Sequence, residues 1–138
     1  MITGGCLCGR VRFRATSGPV AGRVCWCTIC QKIGAGGPTV NAAFQTDGLT
    51  VEGTLKDYES VADSGNKMHR RFCPACGTHL FSASEARPGL VFIRVGALDD
   101  PEIGRPTHTA WAASEPSWAC IDDTIPRFPG QPPPMSLP

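Results

Sequence analysis

Eight cysteines dominate this sequence, and seven of them occur in three short clusters. The clusters are Cys6-x-Cys8, Cys25-x-Cys27-x-x-Cys30 and Cys73-x-x-Cys76, and Cys120 stands alone. Residues i and i+2 of an extended segment project to one face about 7 Å apart, so both thiolates can reach one ion. A disulfide across so short a span would be strained. This spacing is typical of tetrahedral zinc sites, and zinc is therefore the predicted metal.

Residues 73–77 have the sequence of a zinc knuckle, CPACG. Pro74 fixes the turn, and Gly77 permits a backbone shape that aims N–H groups at the sulfurs. Gly9, directly after Cys8, has the same expected role. Spacing alone does not assign the ligand pairs, so the pairing of the clusters stays open at this point.

The number of ligands separates two kinds of site. Two cysteine pairs can complete one four-sulfur site, whereas the triplet at residues 25–30 has no obvious fourth partner. A zinc with three protein ligands keeps an open position for water or substrate and can act there as a Lewis acid. The alternative is that a lone cysteine or a histidine closes the second site, the candidates being Cys120, His69, His79 and His108.

Composition limits the size of the core and the choice of partners. The 138 residues suffice for one domain, in which 41% hydrophobic residues leave a lean core that bound zinc can supplement. A formal net charge of +1 gives no concentrated basic face for nucleic acid. No stretch approaches the roughly 18 apolar residues of a membrane span, and no basic region followed by an apolar run begins the sequence. We therefore expect a soluble, cytoplasmic protein that binds neither nucleic acid nor membranes.

Alternation of apolar and polar residues predicts a mainly β domain. The predicted strands are bounded by Gly, Asp, Ser or Pro. They cover residues 10–15, 39–45, 49–52, 54–58, 68–72, 79–83 and 90–95. One short helix is expected at residues 28–33, where Gly34 ends it. Residues 1–128 then form the zinc-binding domain, and residues 129–138 form a disordered, proline-rich tail.

Four segments, taken in order, resemble the glutathione-dependent formaldehyde-activating family, which also includes centromere protein V. They are GGCLCG at residues 4–9, CWCTICQK at 25–32, RFCPACG at 71–77 and DTIPRF at 123–128. Each segment alone is a weak signal, but the ordered set is specific. The likeness covers nearly the whole chain up to the proline-rich tail.

The resemblance implies an Mss4-like β-tent of short antiparallel strands organised around zinc knuckles, with two zinc ions per chain. It implies that a structural zinc is bound by Cys6, Cys8, Cys73 and Cys76. It also implies that a catalytic zinc is bound by Cys25, Cys27 and Cys30. The implied activity is that of a carbon–sulfur lyase, an S-(hydroxymethyl)glutathione synthase, which adds glutathione to formaldehyde reversibly. Its partners would be a small thiol, glutathione or a related one, and an aldehyde.

The alternative to an enzyme is a non-catalytic, Mss4-like zinc-binding interaction module, in which both zinc ions only brace a contact surface. The near-neutral charge argues against a chromatin-binding or microtubule-binding version of such a module.

Residues outside the clusters receive simpler interpretations. Arg70 and Arg71 are interpreted as solvated strand charges rather than as partners of glutathione carboxylates. Cys120 is interpreted as a small buried hydrophobe. His108 is a candidate for lining the site, and Trp111 for its wall or the core.

Overall fold

Ten short strands carry most of the regular structure in residues 1–136, the part of the chain that the computed structural model describes. The strands are β1 (Ile2–Gly5), β2 (Arg12–Ala15), β3 (Ala21–Cys25), β4 (Thr39–Gln45), β5 (Leu49–Glu52), β6 (Lys56–Val61), β7 (Lys67–Phe72), β8 (His79–Ser84), β9 (Leu90–Arg94) and β10 (His108–Ala110). Helix α1 (Thr28–Ile33) follows β3. Short 3-10 turns lie at Val95–Ala97, Pro101–Gly104 and Ala112–Ser114.

The strands form two sheets. The small sheet has the antiparallel order β1-β2-β5, and the large sheet has the order β10-β3-β4-β9-β8-β7-β6. Neighbours in the large sheet are antiparallel except for β10, which runs parallel to β3. The mainly β prediction is thereby confirmed.

The hydrophobic core lies between the two sheets. Strand β2 alternates exposed arginines with buried Phe13 and Ala15, as its sequence pattern predicts. The ring of Phe13 packs edge-on against Phe81 of the large sheet, with ring centroids 5.3 Å apart. Phe44 and Ile93 of the large sheet are fully buried in the same cluster. The opposite face of the large sheet is polar, and it builds the cavity described below.

Predicted and observed elements agree best where turn residues bound them clearly. Strands β4 and β5 and helix α1 have the predicted bounds. Strand β6 begins and ends later than the predicted 54–58. Strands β1, β3 and β10 were not predicted. In β3 the reason is Gly22, a poor strand former that is needed here because a Cβ would lie 2.2 Å from the backbone oxygen of Arg105.

The end of the described chain lies against the domain. The backbone N–H of Trp111 donates to the oxygen of Gly130 at 3.1 Å, and its indole Nε1 donates to Gln131 Oε1 at 3.2 Å. Pro132 is buried, and Arg87 donates to the carbonyl oxygen of Met135. The division at residue 128 stays a prediction, and residues 137–138 of the predicted tail lie outside the described residues.

Across residues 1–136, no helix is both long enough and apolar enough to span a membrane.

Candidate functional site

Four cysteines meet where the turn after β1 approaches the turn between β7 and β8. The sulfurs of this group, which we call the four-cysteine group, all lie within 4.8 Å of one another and belong to Cys6, Cys8, Cys73 and Cys76. The Sγ atoms of Cys6 and Cys8 are 3.6 Å apart, and those of Cys8 and Cys73 are 3.7 Å apart. Four thiolates around one zinc at about 2.3 Å lie about 3.8 Å from one another. The four-cysteine group therefore fits a tetrahedral metal ion.

Backbone and hydroxyl groups around these sulfurs favour thiolates. The N–H of Val11 donates to Cys6 Sγ at 3.2 Å. Hydrogen bonds from Thr78, whose hydroxyl lies 3.2 Å from Cys76 Sγ, lower the pKa of Cys76 to about 5. Gly9 and Gly77 have φ of 78° and 75°, the left-handed conformation that the knuckle turns require. Both glycines thus take the backbone shape that the sequence predicts.

The second group is the triplet, Cys25, Cys27 and Cys30, whose sulfurs also lie within 4.8 Å of one another. Cys25 ends β3, Cys27 is the N-cap of α1, and Cys30 lies inside the helix. The Sγ of Cys27 accepts the N–H of Cys30 at 3.3 Å, so one thiol caps the helix that carries the next. All three residues are buried. Their local structure thereby gathers three sulfurs without help from a distant segment.

No fourth ligand reaches the triplet within residues 1–136, because no other Cys, His, Asp or Glu has a ligand atom within 4.8 Å of all three sulfurs. Cys120 is exposed, so its predicted burial is wrong. The ring nitrogens of His69 contact Asp57 and Glu85, and the ring of His79 stacks on Phe72. His108 faces the triplet's cavity without joining the sulfur group.

A cavity of about 110 Å³ lies over the triplet. Its floor is the polar face of the large sheet. Strand register aligns one residue from each of four neighbouring strands across this floor, and this cross-strand row consists of His108, Arg23, Asn41 and Arg94. The cavity is also lined by Arg70, Arg87, Phe92 and Trp111, together with residues 131–135.

Each cavity arginine is held by a neutral partner. Arg94 donates to Asn41 Oδ1, and Arg70 donates to Ser60 Oγ. The guanidinium of Arg23 lies 4.4 Å from the ring centroid of Phe92, a cation–π contact. Arg70 is 6% exposed, so its interpretation as a solvated charge is wrong. Arg71 lies outside this cavity.

The arginines and the sulfurs set the electrostatics of the site. Hydrogen bonds from Cys25 and Cys27, followed by Thr39 and the charge of Arg94, lower the pKa of the Cys30 thiol. The same sulfur contacts raise the pKa of Cys25. Without a cation, therefore, the three sulfurs cannot all be thiolates at neutral pH. This donor set suits a soft or borderline cation such as zinc.

Burial, with the nearby charge of Arg23, lowers the pKa of His108. The imidazole is therefore neutral at pH 7, and a neutral imidazole can accept a proton. Its Nδ1 lies 3.2 Å from the hydroxyl of Thr107.

A third group of potential ligands, Asp57, Glu59 and His69, lies on the exposed surface of β6 and β7. Lys67 Nζ lies 3.4 Å from Glu59 and 3.4 Å from Glu85. Both ring nitrogens of His69 also have carboxylate partners. This group is explained as an ion-pair network.

Sequence reasoning missed most of the cavity wall. Arg23, Asn41, Arg87 and Arg94 had no local motif to mark them. Arg23, Asn41 and Arg94 lie on three different strands, and only the register of β3, β4 and β9 shows that they share one face. Arg87 lies in the loop between β8 and β9.

Comparisons with known proteins agree with this architecture. The sequence profile of the family described as glutathione-dependent formaldehyde-activating enzyme matches residues 1–114. A Halomonas elongata protein, provisionally named a glutathione-dependent formaldehyde-activating enzyme, is 32% identical over 129 residues, covering 88% of this chain and 82% of that protein. The crystal structure of a Rhodobacter sphaeroides protein superposes with a TM-score of 0.57 at 18% identity, covering 91% of this chain and 99% of the other. The last similarity concerns the fold alone.

Proposed function

Since the chain belongs to the glutathione-dependent formaldehyde-activating family, we propose that it is a carbon–sulfur lyase. Its reaction is the reversible addition of glutathione, or another small thiol, to formaldehyde or a related aldehyde, which with glutathione and formaldehyde gives S-hydroxymethylglutathione. The observation that carries this proposal is the triplet of buried cysteines beneath a cavity, with no fourth ligand among residues 1–136. A site of three ligands leaves room for a substrate.

The two cysteine groups have different proposed roles. The four-cysteine group would hold a structural zinc, because its complete tetrahedron leaves no position for a substrate. The triplet would hold the catalytic zinc. When bound there, zinc supplies Lewis acidity, which favours the thiolate form of a nearby thiol.

The residues of the chain supply the remaining chemistry. The hydroxyl of Thr107 donates to the backbone oxygen of Gly22 and therefore accepts from Nδ1–H of His108. The unprotonated Nε2 of the neutral His108 then takes the proton of the substrate thiol. The sulfur electron pair then forms the C–S bond, while the π pair of the aldehyde moves to oxygen. His108 returns the proton to that oxygen, so the product is a neutral hemithioacetal and the imidazole is restored.

Arg94 stabilises the electron-rich sulfurs of the triplet. Its charge lowers the pKa of Cys30, and Asn41 fixes the guanidinium through Oδ1. The cavity shields the reacting sulfur from bulk water, which strengthens this electrostatic interaction.

A reducing compartment suits this function. All eight cysteines are free, and both the cysteine groups and the proposed substrate need unoxidised thiols. We propose the cytoplasm as the location.

Exchange NMR tests the activity directly. We expect zinc-loaded protein to accelerate the interconversion of 13C-formaldehyde hydrate and S-hydroxymethylglutathione above the uncatalysed rate, and metal-stripped protein not to do so. Exchange at the uncatalysed rate with glutathione and with several other small thiols would overturn the proposed function and favour an interaction module.

A further inference from the structure

Arginines are distributed unevenly over this molecule. Of the ten arginines in the chain, four line the triplet's cavity, namely Arg23, Arg70, Arg87 and Arg94. Within residues 1–136, none of these four has a carboxylate partner within 4.0 Å, whereas four of the other six do: Arg12, Arg14, Arg105 and Arg127. Among the described residues, most arginines outside the cavity thus have a carboxylate partner, and none of the four cavity arginines has one within 4.0 Å.

Two buried donors in the cavity also lack partners. The Nε atoms of Arg23 and Arg94 are inaccessible to solvent and have no hydrogen-bond acceptor among the described residues. A buried, unsatisfied N–H of a charged group is costly, so such groups usually meet a ligand or an ordered water. These donors lie on β3 and β9, the strands on either side of β4, and they flank Asn41 in the cross-strand row.

The charges of the cavity do not cancel. A divalent cation with three thiolates carries one negative charge, and Asp63 is the one carboxylate in the cavity lining of residues 1–136. These two negative charges balance two of the four arginines. Two positive charges remain, so the cavity favours a ligand with a net negative charge.

Two of the arginines are placed to meet such a ligand. Arg94 acts on the triplet, and the buried Arg70 is held by Ser60. Arg23 lies on the ring of Phe92, which leaves the edge of its guanidinium for a planar, bidentate anion. Arg87 donates to the carbonyl oxygen of Met135, a neutral acceptor that a carboxylate would outcompete.

We propose that Arg23 and Arg87 form a carboxylate subsite that selects anionic thiols, and that this subsite holds the substrate while its sulfur faces the triplet. The inference rests on the proposed function but concerns binding rather than chemistry. These residues are therefore specificity determinants, and neither takes part in proton transfer or bond formation.

Calorimetric titration with S-methylglutathione tests the subsite, because this probe keeps both carboxylates and its sulfur has no proton to lose. We expect Arg23→Gln and Arg87→Gln each to weaken binding by roughly tenfold or more. Arg10→Gln, which changes an exposed arginine outside the cavity, is the matched control and should bind like the parent. The diethyl ester of the same probe should bind weakly to every variant.

Circular dichroism and zinc content establish that each variant is folded, and Arg87→Gln provides the test if Arg23→Gln does not fold. Equal affinity of parent and folded variants for S-methylglutathione, or no binding by the parent, would overturn the subsite. Arginine-dependent binding without exchange activity would leave the subsite standing and remove the proposed reaction. Exchange activity that is equally fast with a neutral thiol would sustain the reaction and remove the subsite.

Discussion

The sulfur of Cys8 lies 3.7 Å from the sulfur of Cys73, although 65 positions separate the two residues in the chain. This contact joins the small sheet to the β7–β8 turn of the large sheet. Closing so long a loop costs conformational entropy, and metal coordination is strong enough to offset that cost. We infer that a metal in the four-cysteine group holds the two sheets together.

Cys76→Ser should accordingly destabilise the whole domain. The substitution removes one of the four sulfurs of the proposed closed site, where the free energy of metal binding would contribute to folding. We expect most of this variant to be insoluble, with the soluble fraction losing one equivalent of metal and melting well below the parent. Cys120→Ser, at an exposed cysteine outside both groups, is the control and should melt like the parent. Parent-like melting of Cys76→Ser would contradict the inference.

Gly22→Ala should destabilise the sheet beside the triplet. The new Cβ would lie 2.2 Å from the backbone oxygen of Arg105, so β3 or the facing segment must shift. Overpacking of this kind costs about 2 kcal/mol, measured as the free energy of unfolding in urea. Gly18→Ala is the matched control, because nothing lies within 4 Å of a Cβ there. If Gly22→Ala loses no more free energy of unfolding than Gly18→Ala, then β3 and the segment at Arg105 can move apart at little cost.

His69→Gln should make the pH dependence of stability weaker. Hydrogen bonds to Glu85 and Asp57, at 2.9 and 2.7 Å from the ring nitrogens, raise the pKa of His69 in the folded protein. The folded state therefore binds the proton more tightly than the unfolded state. The resulting stabilisation is fully present below the unfolded pKa of about 6.5 and is lost as the pH rises through the higher folded pKa.

Urea unfolding of parent and His69→Gln at several pH values between 5 and 9 measures this effect. The free energy of unfolding of the parent should exceed that of His69→Gln most at the acidic end of this range, and the difference should disappear toward the alkaline end. Lys56→Gln, an exposed change on the same strand pair, controls for loss of surface charge. A difference in the free energy of unfolding that grows with pH would show that folding lowers the pKa of His69 instead of raising it.

Truncation after Gly130 should open the cavity. Residues 131–135 line it, while Gly130 keeps its contact with the backbone of Trp111. We expect S-methylglutathione to associate severalfold faster with the truncated protein, since less chain covers the arginines. Truncation after Ser136 keeps the peptide carbonyl of Met135 that Arg87 contacts and serves as the control. Unchanged association after both truncations would mean that the segment does not restrict access.

The grouping of the cysteines is the part of the site that the sequence could place, because short spacings are set by local turns. The C-x-C and C-x-x-C segments bring their own sulfurs together, and the structure brings the sulfurs of the two pairs within 4.8 Å of one another. That each group binds zinc stays a prediction. The helix at residues 28–33 was also predictable, since Gly34 ends it.

The cavity wall could not be predicted in the same way. Arg23 and Arg94 are 71 positions apart and share a face only because β4 pairs with both β3 and β9 in a particular register. A shift of one residue would turn either side chain to the opposite face. Burial of Arg70 likewise depends on the packing of β7, which the charged sequence around it does not reveal.

The most direct test of the account compares exchange rate and zinc content in the same samples of parent, Cys30→Ser and Cys120→Ser. Cys30→Ser removes one sulfur of the triplet and leaves the four-cysteine group intact. We predict that it stays folded, keeps the zinc of the four-cysteine group and loses acceleration of formaldehyde–glutathione exchange, while Cys120→Ser matches the parent. A folded Cys30→Ser that still exchanges at the parent rate would contradict catalysis at the triplet.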